Sequence, residues 1–142
     1  MECILAAMDP TRTHLFAGIH ALNLAKRISA RVSFLLIFPE TAPPANPSAV
    51  TPGAATTRRL DHLIHEARTN GIPTEHHTTF GNFENELVRH VQENRVTLVV
   101  VESAAGTDTA GVDRHLLDRL RHRLGCRIEV VNAKPKTPKR KE

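Results

Sequence analysis

The stretch that most constrains the fold is an aliphatic run that leads through a small-residue loop into a helical pattern. The run covers residues 98–101, Leu-Val-Val-Val, and is typical of a strand buried on both faces of a parallel sheet. After Glu102 comes a loop that contains Gly106 and Gly111, and a helical pattern begins at Val112. Backbone N–H groups converge at such a junction, which therefore favours an anion or phosphate site.

The beginning of the chain predicts a strand, a helix and a second strand. Residues 3–8 and 31–38 are apolar at nearly every position, and residues 14–29 between them carry apolar side chains at helical spacing. Thr13 is a candidate N-cap for this helix. Two buried strands joined by a helix predict a βαβ unit with parallel strands.

A proline-rich segment interrupts this alternation. We assign residues 39–55 to a mobile loop because five prolines fall within residues 39–53. A helical pattern over residues 56–70 follows, and Gly71 is its candidate C-terminal cap. Residues 74–80 alternate and are polar, which favours a strand at the edge of the sheet.

The remaining patterns complete an α/β architecture. Asn82 is the candidate cap of a helix that ends near Asn94, and residues 112–124 predict a fourth helix that Gly125 caps. Residues 127–131 predict the last strand. The expected fold is a single doubly wound sandwich: a five-stranded parallel sheet with four helices.

The basic charge of the chain is confined to its end. The 142 residues carry a net charge of +4, and residues 134–142 hold five basic groups and one acid, which accounts for the whole excess. We expect this tail to be disordered and nucleic-acid binding to be unlikely, since the chain also lacks Trp and Tyr for base stacking.

Cysteine usage and hydropathy favour a cytoplasmic protein without a membrane segment. Cys3 and Cys126 lie in apolar runs without metal-ligand spacing, so we predict reduced, buried thiols. No apolar run approaches the length of a membrane span.

Several stretches resemble the universal stress protein family. They are ILAAMDP at residues 4–10, ALNLAKRISARVSFLLIF at 21–38 and LRHRLGCRIEVV at 120–131. The resemblance covers nearly the whole chain and implies a domain over residues 1–133, with sheet order 3-2-1-4-5 and the adenine nucleotide alpha-hydrolase-like fold. It also implies a homodimer through the last strand, which consists of Arg127, Ile128, Glu129, Val130 and Val131.

The resemblance further implies an adenine nucleotide site. Asp9 and Phe38 match the positions that line the adenine and ribose, although Asp9 serves equally well as a cap for the turn before Pro10. The implied phosphate residues are Gly106, Gly111, Arg114 and His115.

This phosphate region departs from the family pattern. Glu102 stands where the family motif has its first glycine, and Arg114-His115 replaces a Gly-Ser pair. A carboxylate at that position opposes a triphosphate, since two like charges about 4 Å apart repel by roughly 1–4 kcal/mol.

The other groups of polar residues in the sequence do not predict a metal site or a catalytic site. His62, His65 and Glu66 lack a third histidine or cysteine ligand, so we interpret them as a solvated helix face and predict no metal. No nucleophile elbow or Walker motif is present, and the acids of a phospho-receiver domain are missing.

We therefore predict a non-enzymatic stress-response regulator that acts as a dimer, contacts an unknown protein partner and requires no cofactor. The alternative is a sensor that retains ATP or another adenine nucleotide through a variant loop. A third possibility is a nucleic-acid-associated protein that uses the basic tail.

Overall fold

A computed structural model describes residues 2–8, 15–38, 54–103 and 114–131 of the chain. Strands and helices alternate within these ranges. Their order is β1 (Glu2–Met8), α1 (Phe16–Arg27), β2 (Ala30–Phe38), α2 (Ala54–Thr69), β3 (Thr74–Phe80), α3 (Phe83–Asn94), β4 (Leu98–Glu102), α4 (Arg114–Arg123) and β5 (Arg127–Val131). The Pro-rich stretch 39–53 and the tail 134–142 lie outside the described residues, so the predictions of mobility and disorder made for them remain predictions.

The strands form one parallel sheet with the order β3-β2-β1-β4-β5. This confirms the predicted fold class and strand order. β1 lies at the centre and is buried along its length from Cys3 to Met8. β3 forms an edge, as its polar alternation predicts, and most of its side chains are exposed.

Two apolar layers fill the space between the sheet and its helices. Successive side chains of a strand point to opposite faces, so Ile4 and Phe34 pack against α1 and α2. Leu5 and Leu35 lie in the other layer, which faces α3 and α4. All four side chains are at most 1% exposed, and complete burial stabilises the fold by about 1.5–3 kcal/mol for each large side chain.

Gly18 allows α1 to lie close to both the sheet and α2. A Cβ atom at this position would lie 2.9 Å from Cδ1 of Leu63 on α2 and 3.1 Å from Sδ of Met8 on β1. Contacts of that length require the neighbouring side chains to move. The missing side chain therefore sets how closely α1 and α2 approach each other.

The ends of α1 differ from the predicted ones. The helix begins at Phe16 rather than His14, and Leu15 precedes it in the left-handed conformation with φ 52°. Thr13, the predicted cap, lies outside the described residues. Ile28, which the predicted helix over residues 14–29 includes, is 42% exposed because the helix ends at Arg27 and Ile28 is already extended.

Three of the predicted caps and one helix start can be compared with the structure. The side chain of Asn82 accepts a hydrogen bond from the N–H of Asn85 at 2.9 Å, which confirms the α3 cap. Gly71 has φ 72° after α2, as a left-handed cap requires. Gly125 follows the end of α4 at Arg123, but its φ is not positive, so it does not form a left-handed cap. Helix α2 begins at Ala54, two residues before the predicted start.

Glu84 joins α3 to α4 through two arginines. Its carboxylate accepts hydrogen bonds from Nε of Arg119 and Nη1 of Arg123, each at 2.9 Å. These hydrogen bonds, that of Arg119 first, lower the pKa of Glu84 below its ordinary value. The mixed charges of α4, which are typical of a solvated face with modest ion pairs, thus include a link between the two helices.

No helix in the described parts of the chain is both long enough and apolar enough to span a bilayer.

Candidate functional site

The candidate site lies where the carboxyl ends of the parallel strands meet. Parallel strands end at the same edge of the sheet, and the helices that follow them begin there. Asp9, Gly106 and Gly111 fall outside the described residues, so the structure does not test their predicted roles. Phe38, Arg114 and His115 are described.

Phe38 forms an aromatic pair with Phe80 at this edge. The two phenylalanines are register partners at the ends of β2 and β3. Their ring centroids are 5.2 Å apart and the ring planes differ by 25°, which is a stacked arrangement. Phe38 is 9% exposed and Phe80 is 49% exposed. Phe80 was not predicted as a site residue, although the expected order 3-2-1 already placed the two strand ends side by side.

Glu102 ends β4 and reaches the beginning of α1. The residue is 5% exposed, and its Oε2 atom accepts a hydrogen bond from the backbone N–H of Ala17 at 3.4 Å. The preceding Leu15 provides no side-chain cap. Glu102 therefore supplies to α1 the acceptor that a Ser, Thr or Asp N-cap normally supplies locally.

The position of this carboxylate has an electrostatic consequence for ligands. The N-terminus of a helix carries a partial positive charge and attracts anions. In this chain a buried carboxylate already occupies the N-terminus of α1. A second anion brought to about 4 Å from it would be repelled by roughly 1–4 kcal/mol.

Arg114 and His115 are the first two residues of α4 (Arg114–Arg123). Both are exposed, and neither forms an ion pair or hydrogen bond with any other described residue. Arg114 is thus available to solvent at a helix start, where a guanidinium could bind an anion.

Side chains with metal-ligand chemistry do not converge in the described ranges, since no group of three or more His, Cys, Asp or Glu residues is placed to hold an ion. His62 lies 3.9 Å from Glu66, measured from Nε2 to Oε1, and its side chain is 76% exposed.

Solved structures with the same architecture come from universal stress proteins. A protein of this family from Burkholderia pseudomallei is 22% identical, with a TM-score of 0.61 over 92% of this chain and 95% of that chain. A universal stress protein in complex with cAMP is 16% identical, with a TM-score of 0.64 over 94% and 98%. An Arabidopsis thaliana family member with AMP bound is 12% identical, with a TM-score of 0.60 over 95% and 94%.

Sequence comparison identifies the family directly. No curated protein matches the chain significantly. A family model does match, over residues 1–125 of the 142. The matched residues include all the elements from β1 to α4. The chain belongs to the universal stress protein family.

Proposed function

We propose that this protein is a non-enzymatic stress-response regulator whose nucleotide site has lost its affinity for triphosphates. One observation carries the proposal: the buried carboxylate of Glu102 lies at the end of β4 and is hydrogen-bonded to the N-terminus of α1. A triphosphate at this strand end would approach a carboxylate that the fold holds in place. Repulsion of roughly 1–4 kcal/mol would weaken binding about fivefold to about a thousandfold.

The sequence supports a role without catalysis. It contains no nucleophile elbow and no Walker lysine motif. A regulator of this kind acts by presenting a folded surface to a partner protein. Cys3 and Cys126 are free thiols, which suits the reducing cytoplasm as the site of action.

Isothermal titration with ATP and Mg²⁺ tests the proposal. We expect no saturable binding by the wild-type protein at millimolar ATP, and a gain of binding in Glu102→Gly, which removes the charge and restores the small residue typical of the family. Glu93→Gly is the matched control, because Glu93 is an exposed acid on α3. Wild-type binding of ATP with micromolar affinity would refute the proposal.

The alternative function is a sensor for an adenine nucleotide that carries few phosphates. The Phe38–Phe80 pair favours it, since a half-exposed ring at the strand ends provides a surface on which a base can stack. The relatives bound to cAMP and AMP are consistent with such ligands. Titration with AMP and adenosine separates the two functions: under the alternative, AMP binds, and Phe80→Ala and Arg114→Gln each weaken it.

We also propose that two chains associate through β5. This strand lies at an edge of the sheet next to β4, and its outer side pairs with no other described strand. Val130, the fourth of the five residues of the strand, is 37% exposed. Light scattering tests the association: the wild-type chain should have the mass of a dimer, and Val130→Glu the mass of a monomer, whereas a wild-type monomer at micromolar concentration would refute the pairing.

A further inference from the structure

A groove of about 460 Å³ lies between α1 and α2. Its volume falls within the range of small-molecule sites. The described residues that line it are Ile19, Leu22 and Asn23 from α1, and Arg58, Arg59, His62, Leu63 and Glu66 from α2. Their spacing of three and four residues places them on facing stripes of the two helices.

The floor of this groove is apolar. Leu22 is 2% exposed and Leu63 is 5% exposed, and Ile19 is partly buried against the same core. Gly18 lies beside Leu63, where a side chain would collide with it. The close approach of α1 to α2 at Gly18 therefore forms the floor beneath the groove.

The rim of the groove is basic. Arg58 and Arg59 are exposed, and neither forms an ion pair or hydrogen bond within the described parts of the chain. Two guanidinium groups thus face solvent above an apolar floor. Arginine binds phosphate and carboxylate through paired N–H donors, and such charge-assisted hydrogen bonds are stronger than neutral ones.

Glu66 is the one acidic residue among the described residues that line the groove, and it does not neutralise Arg58 and Arg59. Glu66 forms an ion pair with Lys26 of α1. The hydrogen bond from Lys26 holds the pKa of Glu66 below its ordinary value. His62 lies 3.9 Å from the other oxygen of this carboxylate. The charge of Glu66 is therefore balanced locally, and the rim keeps an excess of positive charge.

We infer that this groove binds a small amphipathic anion. The apolar chain or ring of such a ligand lies on Ile19, Leu22 and Leu63, and its phosphate or carboxylate binds Arg58 and Arg59. The site is separate from the strand end, where Glu102 contacts Ala17 in the first turn of α1. The inference does not depend on whether the protein binds a nucleotide.

Calorimetric titration with octyl phosphate tests the inference. The probe has both the apolar chain and the anionic head that the groove requires, whereas octanol lacks the charge and inorganic phosphate lacks the chain. We expect saturable binding of octyl phosphate with one molecule per chain, and much weaker binding of either partial probe. Equal binding of octanol, or no saturable binding of octyl phosphate, would overturn the inference.

Variants that remove arginine charges inside or outside the groove test where octyl phosphate binds. The double variant Arg58→Gln, Arg59→Gln should bind octyl phosphate about tenfold more weakly or worse, because it removes the charge-assisted donors. Arg68→Gln, Arg121→Gln changes the net charge by the same amount at exposed positions outside the groove, and its affinity should stay within about twofold of wild type. Similar losses in the two double variants would refute the site.

The head groups of an anionic membrane offer the same chemistry as a free amphipathic anion. An experiment with lipid vesicles distinguishes these two sources. Vesicles that contain phosphatidic acid should compete only weakly with monomeric octyl phosphate, because the groove accepts the chain as well as the head group. Sedimentation of the protein with these vesicles, combined with no binding of monomeric octyl phosphate, would show a peripheral membrane contact and contradict the inference.

Discussion

Glu102 and Ala17 are 85 positions apart in the chain, and a hydrogen bond of 3.4 Å joins the carboxylate of one to the N–H of the other. The bond connects β4 to the first turn of α1. Because Leu15 offers no side-chain acceptor, Glu102 accepts from a first-turn N–H that has no partner within its own helix.

Replacing Glu102 by Gln should lower the free energy of unfolding by about 1–2 kcal/mol, as the loss of a charged helix cap does. Urea denaturation of the two proteins measures the difference. Glu93→Gln is the control, because its exposed carboxylate on α3 contributes to a surface ion pair, and its effect should be at most about 0.5 kcal/mol. Equal effects of both variants would show that the Glu102–Ala17 contact is not stabilising.

His90 makes the stability of the fold dependent on pH. The residue is 8% exposed, and Nε2 lacks a hydrogen-bond partner in the described part of the protein. Burial is the main cause that lowers the pKa of His90, and His77, whose ring centroid lies 4.9 Å away, lowers it further. Glu75 and Glu93 oppose this effect, and Arg89 adds to it.

The lowered pKa of His90 determines whether the free energy of unfolding rises or falls with pH. Since the pKa of His90 is lower in the folded than in the unfolded protein, both states are neutral above the ordinary value of 6.5. Below 6.5 the unfolded chain binds more protons, so the free energy of unfolding falls as the pH is lowered. Urea midpoints between about pH 7.5 and about pH 5.5 measure the loss.

The variant His90→Leu tests whether His90 causes this pH dependence. His90→Leu removes the titrating group and keeps an apolar side chain of similar size, so its urea midpoint should change less over this pH range. His62→Leu is the control, since the side chain of His62 is 76% exposed, and it should keep the wild-type slope. An unchanged slope in His90→Leu would show that another group causes the effect.

Glu84 should stabilise the packing of α3 against α4. Glu84→Gln removes the charge that Arg119 and Arg123 share, and we expect a loss of about 1 kcal/mol, because both arginines are substantially exposed. The pKa of Glu84 is lowered from 4.5, so its contribution is present above 4.5 and disappears as the pH falls through the folded value. Urea denaturation of the single and double variants with Arg119→Gln should give non-additive losses.

The Phe38–Phe80 pair should be visible in the circular dichroism of the folded chain. The chain contains neither Trp nor Tyr, so the phenylalanine bands are not obscured. Phe80→Ala should reduce these bands and lower the free energy of unfolding by about 0.5–1.5 kcal/mol, the contribution of an aromatic pair. Phe83→Ala is the comparison, because Phe83 packs against the opposite layer, and its substitution should leave the stacked pair intact.

The order of the elements was predictable because strands and helices differ in apolar periodicity. The apolar runs of β1, β2 and β4 indicate a parallel sheet, and the polar sequence of β3 indicates an edge strand. The strand order itself came from the resemblance to the family. Local signals such as Asn82 and Gly71 also predicted their caps correctly.

Contacts between distant residues were not predictable in the same way. Glu102 was predicted to oppose phosphate, but nothing near it in the sequence indicates Ala17 as its partner. The left-handed Leu15 has no local signature either, since leucine rarely adopts that conformation. Gly125 follows α4 without a positive φ, because a glycine after a helix permits a left-handed cap but does not require one.

The two edges of the sheet differ in chemistry, and this difference limits how the chain can assemble. β3 exposes Glu75, His76 and His77 along one edge, which discourages the addition of a further strand. β5 presents Val130 at the other edge. A pair of chains joined through β5 would offer only β3 edges at its outer ends, so growth would stop at two copies and would not continue into a fibre.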